Sequence, residues 1–373
     1  MRTYGSDGMG SSSGAAINDT LSDEVGIHAK QRPEDQRDAM YNLAVINYAL
    51  MMIRHTHPAA SPQLTSMVAS CSLVGAIMGQ LTFGYIGDAI GRKQGMIFTL
   101  LLSIGGALAS AILPWGVDSI YYILAACRFV LGLGVGGVYP LSATTAIEAT
   151  TDELKNSKIV AAVFSFQGIG QLLAPLVAYL VLEFGIGRTM GWRFLLGIGA
   201  LPGLFVLQKA FNAKESATPH QSVAEVCGPD LWNSLKEDVS LRHKLFGAAF
   251  GWFLFDITFY GNVIFTPIIL KDAFGMKATL LSLYAMTFFF SNFGPNVSTF
   301  CLPAEVFPPD VRVKLNGIAA ASGKIGATVG AAIFGVIETD WGVSYVLVLS
   351  ALVSILGAVV TQKYIPGKTY RGA

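Results

Sequence analysis

A chain of 373 residues that is 53% hydrophobic and 13% charged is no soluble globule, since soluble domains carry roughly a quarter charged residues. A mean hydropathy of +0.54 and apolar blocks that reach the ~20 residues of a bilayer crossing mark a polytopic membrane protein in contact with lipid. The net charge of +1 leaves no global basic field for nucleic acid, and Cys71, Cys127, Cys227 and Cys301 are too scattered for a disulfide framework or a zinc site.

Residues 1–38, rich in Ser, Gly, Asp and Glu and without the apolar region of a signal peptide, read as a disordered, uncleaved tail. Apolar blocks follow at 39–54, 65–87, 94–114, 119–146, 157–183 and 192–212, the first of them short for a crossing. A polar stretch at 213–243 reads as a linker, and four more blocks follow at 246–270, 279–305, 314–337 and 342–365. The expected domains are a six-helix half over 39–212, a shortened four-helix half over 244–366 and a short tail over 367–373. The fold class is all-α, with about ten transmembrane helices.

Positive charge stays on the cytoplasmic side. With the N-terminus inside, inner segments hold 18 of the 25 Lys and Arg and outer segments hold 5, while Arg128 and Lys324 fall within spans. Both termini are therefore expected in the cytoplasm. The sequons at Asn18 and Asn296 then lie in the inner tail and in a span, where neither would be glycosylated.

Gly84-Tyr-Ile-Gly-Asp88-Ala-Ile-Gly91-Arg92-Lys93 joins the second and third spans. Its small residues allow close helix approach, and Asp88 can pair with a guanidinium at a helix end. In the fourth span runs Arg128-x-x-x-Gly132-x-x-x-Gly136, whose arginine needs a partner or a water-filled cavity unless it snorkels to the interface. The same glycines satisfy G-x-G-x-x-G, but a dinucleotide site needs a strand before them and a helix after, and these lie inside one apolar block. Asp256 stands in an apolar span, where an isolated carboxylate is costly, and Lys324 is its natural countercharge.

The loop at 84–93 and the Arg128 pattern resemble signatures of the major facilitator superfamily. Three longer stretches resemble its phosphate:proton symporter family: Gly136-Gly-Val-Tyr139-Pro-Leu-Ser-Ala-Thr-Thr-Ala-Ile-Glu148, Trp252-Phe-Leu-Phe-Asp256-Ile-Thr-Phe-Tyr260-Gly, and Phe288-Phe-Phe-Ser-Asn292 through Asn296, Pro303 and Glu305 to Pro308, with Ser322-Gly-Lys324 beyond. The resemblance implies a major facilitator fold and uptake of inorganic phosphate with protons, without a cofactor. It implies a mid-membrane site in which Tyr139, Gln167, Trp252, Tyr260 and Asn292 hydrogen-bond phosphate oxygens, Asp256 faces the anion and Lys324 supplies countercharge. Dihydrogen phosphate donates to a carboxylate while accepting from the other groups, which makes an acid beside an anion workable. Asp88, Arg92, Arg128, Glu305 and Arg312 would form the conformational latch, and Glu305-Val-Phe-Pro is shared with sugar porters. A plasma-membrane location is expected.

The chain departs from that family in three places. Phe265 to Ala278 leads straight from a seventh-helix pattern to a tenth-helix pattern, so the eighth and ninth helices of twelve are missing. Asn42 stands where the family has the acid of Y-D-L, and Val138 where it has that of G-G-D-Y. Neither titrates, so weakened proton coupling is expected. Alternatives are a facilitator for a sugar or organic ion and a phosphate sensor that binds without turnover. A membrane enzyme finds no support, because His28, His55, His57, His220 and His243 form no metal spacing and no nucleophile stands beside a base.

Overall fold

The computed structural model describes residues 33–56, 62–116, 119–148, 153–212, 231–268, 286, 290–308 and 311–365. Their regular structure is helical throughout. In chain order the helices are α1 (Pro33–Thr56), α2 (Pro62–Ile90), α3 (Arg92–Ile112), α4 (Ile120–Glu148), α5 (Glu153–Glu183), α6 (Arg188–Ile198) and α7 (Ala200–Asn212). After the linker come α8 (Leu231–Glu237), α9 (Val239–Ile268), a π-helical segment (Asn292–Asn296) running into α10 (Val297–Val306), α11 (Arg312–Trp341) and α12 (Val343–Tyr364).

Seven stretches among the described residues are long and apolar enough to cross a membrane: Met67–Gly87, Arg92–Ile112, Ile120–Ala143, Phe164–Glu183, Met190–Asn212, Arg312–Phe334 and Val343–Tyr364. The sequence blocks at 39–54, 246–270 and 279–305 are absent from these seven. The first two carry polar residues within the helix, including Asn42 in α1 and Asp256 and Asn262 in α9, and the third is described only in part. The expected direct passage from Phe265 to Ala278 lies mostly outside the described residues.

Two expected boundaries move. Helix α1 begins at Pro33, inside the stretch read as a disordered tail to residue 38. Proline at the first helical position loses no hydrogen bond, and Glu34 and Asp35 in the first turn suit the positive end of the helix dipole. Likewise α8 and the first turn of α9 take up the end of the stretch read as linker over 213–243, so that α9 starts at Val239. The block at 192–212 is broken at Gly199 into α6 and α7.

The N-terminal half is built on contact between α2 and α4, with α3 against α4, α1 against α5 and α6, and α7 against α3. Glycine makes the central contact possible. A Cβ on Gly132 would collide with the carbonyl of Ser72, and one on Gly136 with that of Ala76, so the two backbones touch directly. Gly134 does the same against Thr99 and Ser103 of α3, which gives the G-x-G-x-x-G run a purely structural use inside one helix. In the C-terminal half α9 packs on α11 and α12, and Gly326 and Gly330 bring α11 against the carbonyls of Phe253 and Ile257.

The halves meet through α2 and α11, with α10 against α5 and α4. Gly84 lies against Val313 and Gly317 against Gln80, both near the end of the bundle that carries the Gly91 turn, the inner end in the expected orientation. Gly91 makes that turn at φ 92°, where a side chain would be strained. Along α12 the large residues Tyr345, Val348, Leu352, Ile355, Leu356 and Val359 are all exposed, an apolar face that suits lipid rather than water.

Candidate functional site

At the middle of α9, three side chains one turn apart, Trp252, Asp256 and Tyr260, share a face and are all buried. Lys324 of α11 reaches them. Its Nζ donates to Asp256 Oδ2 at 3.3 Å and to the Tyr260 hydroxyl at 2.8 Å, and it lies 4.4 Å from the centre of the Tyr260 ring. Asp256 is 1% exposed and Lys324 2%, so each ion is desolvated and depends on the other. Close packing fixes this geometry: a Cβ on Gly323 would strike the Trp252 indole.

Across the inter-half seam, Tyr139 of α4 offers the edge of the same space. The Lys324 ammonium stands 5.3 Å from its ring centre, within cation–π range. Its hydroxyl is buried and bonds to nothing among the described residues. Pro140, next along α4, lacks the N–H that would bond the Gly136 carbonyl, which loosens the helix at this point. Gln167 of α5 donates Nε2 to the Met40 sulfur at 3.2 Å, while its Oε1 is buried without a partner among the described residues.

Beneath these groups, toward the end of the bundle that carries the Gly91 turn, sits Phe300 of α10. Its ring stacks on Phe164 at 4.3 Å and meets Tyr139 and Trp252 edge-on, each at 6.2 Å. Four aromatic rings from α4, α5, α9 and α10 thus close the polar space from below. Tyr139, Trp252, Asp256, Tyr260 and Lys324 are brought together. Gln167 joins through the Phe164 side of α5. Asn292 is half-buried in the π-helical segment, where it accepts from Asn296 Nδ2 at 2.9 Å.

The latch residues scatter more widely. Asp88 lies in α2, but its side chain is outside the described ones; the Arg92 guanidinium passes over Gly87. Arg312 Nε donates to the Phe307 carbonyl at 3.0 Å, tying the start of α11 to the end of α10, and Glu305 lies in the last turn of α10. Arg128, fully buried in α4, hydrogen-bonds through Nη2 to the main-chain carbonyl of Asn42; its Nε and Nη1 bond to nothing among the described residues.

Sequence reasoning missed Phe164, Phe300 and Met40. No spacing rule singles out two phenylalanines among 23, and Met40 is recognisable only once Gln167 lies on it. It also missed the seam amides. Gln80 is fully buried with neither amide atom paired among the described residues, and Asn316 Nδ2 on α11 has no partner among them either.

The model of the family described as the Major Facilitator Superfamily matches residues 37–302. The chain is 31% identical to inorganic phosphate transporter PT2 of Toxoplasma gondii, over 87% of this chain and 69% of that one. It is 29% identical to inorganic phosphate transporter 1-11 of Oryza sativa subsp. japonica, over 80% and 76% of the two chains. Among solved structures, the proton:xylose symporter XylE bound to 6-bromo-6-deoxy-D-glucose superposes with a TM-score of 0.72 at 18% identity, covering 92% of this chain and 96% of that one. The alignment with PT2 runs over 394 positions, so roughly 70 of them face gaps in this chain, about the length of two membrane helices with their loops. The chain belongs to the major facilitator superfamily and, within it, to the family that holds these inorganic phosphate transporters.

Proposed function

We propose that this protein carries inorganic phosphate across the plasma membrane together with protons, with both termini in the cytoplasm. The observation that supports this reading is the pairing of a buried Lys324–Asp256–Tyr260 group on one half with two unpartnered polar atoms, the Tyr139 hydroxyl and Gln167 Oε1, on the other. Dihydrogen phosphate needs both kinds of neighbour. Its oxygens accept from the Lys324 ammonium, the Tyr139 hydroxyl and the Trp252 indole, and its two hydrogens donate to Asp256 and to Gln167 Oε1. Binding would satisfy atoms whose burial costs about 1–3 kcal/mol each while they stay unmet, so the site is poised for a ligand that both donates and accepts.

Rocking of the halves about this site would open each side in turn. In this role Phe300 and its aromatic neighbours bar the way inward, and the α2–α11 seam must part for release. Arg92, Arg128, Glu305 and Arg312, with Asp88, act as the latch that differs between the two states. The relatives' names support the phosphate reading, and the resemblance to a phosphate:proton symporter family supports the proton-linked one.

The test is counterflow of radiolabelled phosphate by the purified chain in liposomes. Exchange that unlabelled phosphate competes away, and that sulfate and xylose do not, is the expected result. Saturable phosphate binding without any flux would instead favour a sensor. Tags at each end, probed in intact cells, check the orientation; tags reached from opposite faces would overturn it.

A further inference from the structure

The cations of the membrane-spanning helices are supported in different ways. Lys324 has Asp256, at 3.3 Å. Arg193 of α6 lies between two indole rings, 4.1 Å from the centre of Trp115 and 4.2 Å from that of Trp192, and donates to the carbonyls of Ala111 and Pro114. Arg128 of α4 has neither kind of support. It is fully buried, and among the described residues it pairs with no carboxylate and lies over no aromatic ring. Its one bond, from Nη2 to the main-chain carbonyl of Asn42, leaves Nε and Nη1 without an acceptor among those residues.

The acids of α1 do not supply the missing charge. Glu34 pairs with Lys209 at 3.0 Å. Asp35 stands two turns before Asn42. Asp38 accepts from Asn42 Nδ2 at 3.1 Å, and its Oδ2 lies against Gly203 of α7, where a Cβ would come within 3.1 Å. Asn42 itself is neutral, at the position where the resembled family carries an acid. On α4 the residues one turn before and one turn after Arg128, Leu124 and Leu131, are buried and apolar.

A buried lysine can shed its proton, but a guanidinium stays protonated in proteins. Carbonyl groups can meet its hydrogens without cancelling its charge, and in a low-dielectric interior an uncancelled charge is strongly unfavourable. The described part of the chain offers no negative partner, and an anion from solution would provide one. The surroundings select which. N–H groups beside leucine side chains suit an ion that only accepts hydrogen bonds. Dihydrogen phosphate brings two hydrogens that need acceptors of their own, and the Asn42 carbonyl is already taken by Nη2.

We propose that Arg128 binds chloride, a monatomic monoanion that stands in for the carboxylate missing from this part of the bundle. The ion neutralises the guanidinium and accepts from the hydrogens that Asn42 leaves unmet, so it is a resident partner of α1 and α4 and not cargo. The site is separate from the Lys324 group, because Arg128 precedes Tyr139 on α4 by about three turns, roughly 16 Å along the helix axis. The inference stands independently of the phosphate reading, and failure of phosphate counterflow leaves it untouched.

The experiment uses the full chain in detergent, with chloride itself as the probe and two readouts. At constant ionic strength, exchanging gluconate for chloride is expected to raise the unfolding temperature, by an amount that grows with the logarithm of chloride concentration, as for any ligand of the native state. Radioactive chloride is expected to bind at one ion per chain. Arg128→Met is expected to lose both effects, and Lys324→Met with Asp256→Leu, which carries no ion at the α9–α11 pair, to keep them. A wild-type chain that binds no chloride and unfolds alike in both salts overturns the inference. So does chloride binding that survives Arg128→Met, or that disappears in the double variant, since the ion would then sit at Lys324. Complete displacement of the bound chloride by phosphate overturns it too, because Arg128 would then belong to a substrate site. Should Arg128→Met fail to fold, the double variant decides: one chloride retained and not displaced by phosphate supports the inference, and its loss overturns it.

Discussion

The two halves bring opposite chemistry to the seam between them. The C-terminal half supplies a charged group that is already satisfied, since Lys324 holds both Asp256 and Tyr260 within one bundle of two helices. The N-terminal half supplies neutral atoms without a partner among the described residues, the Tyr139 hydroxyl and Gln167 Oε1. Removing either ion of the first group leaves the other's charge stranded; removing a member of the second strands no charge. The comparison teaches that residues equally close to a ligand can have very different effects on the empty protein.

The largest effect is expected where the satisfied group recognises a substrate hydrogen. A site built to accept from a hydroxyl rejects an analogue that lacks it by up to ~10⁴-fold, and sulfate carries no proton near neutral pH. Asp256→Asn should collapse the preference for phosphate over sulfate or abolish counterflow altogether. Sulfate competing as well as phosphate in the unaltered protein would remove Asp256 from this role.

Lys324→Met should come next. It leaves Asp256 desolvated without its cation, a loss of about 3–5 kcal/mol where buried pairs have been broken on one side. Thermal unfolding in detergent should show the drop, and Lys324→Met with Asp256→Leu should regain much of the stability without regaining transport. Additive losses in the double variant would mean that the two residues do not act as a pair.

A third prediction treats the halves as alike. Gly132 on α4 and Gly326 on α11 both meet a neighbouring backbone with no room for a Cβ, against Ser72 and Phe253 respectively. Replacing either by Val should cost about 1–3 kcal/mol through overpacking, with transport lost in proportion to folded protein. A Gly326 variant that stays stable would show that the shortened half, with its exposed α12, yields where the six-helix half does not.

Much of this was legible in the sequence for one physical reason. Ionisable residues inside apolar spans are conspicuous, so Asp256, Lys324 and Arg128 stood out by themselves, whereas Tyr139, Trp252 and Tyr260 were named only through the family resemblance. The floor of the site was illegible because Phe164 and Phe300 look like any other lipid-facing phenylalanine until their partners are known. The first turns of α1 were hidden by their own charges. Glu34, Asp35 and Arg37 lower the local hydropathy until the turn reads as tail, although Pro33 followed by two acids is itself a helix-start signal. The broken block at Gly199 could not be foreseen either, since Asn42, which lies against that glycine, comes from another helix.

The smallest effect is the sharpest test of the opening contrast. Tyr139→Phe removes a hydroxyl that bonds to nothing among the described residues, so none of them is left unpaired and the buried cost of that hydroxyl disappears. The ring remains, and with it the contacts to Phe300 and the Lys324 ammonium. Unfolding temperature should therefore hold or rise. Phosphate binding should weaken, because a hydrogen bond to a charged group contributes about 1.5–3 kcal/mol, or roughly 10-fold to 100-fold in affinity. Affinity from counterflow titration and thermal unfolding, measured on the same preparation, separate these effects. Lowered affinity with undiminished stability is the pattern expected of an atom that waits for its ligand, whereas a fall in both would mean that the hydroxyl serves the packing of α4 and not the substrate.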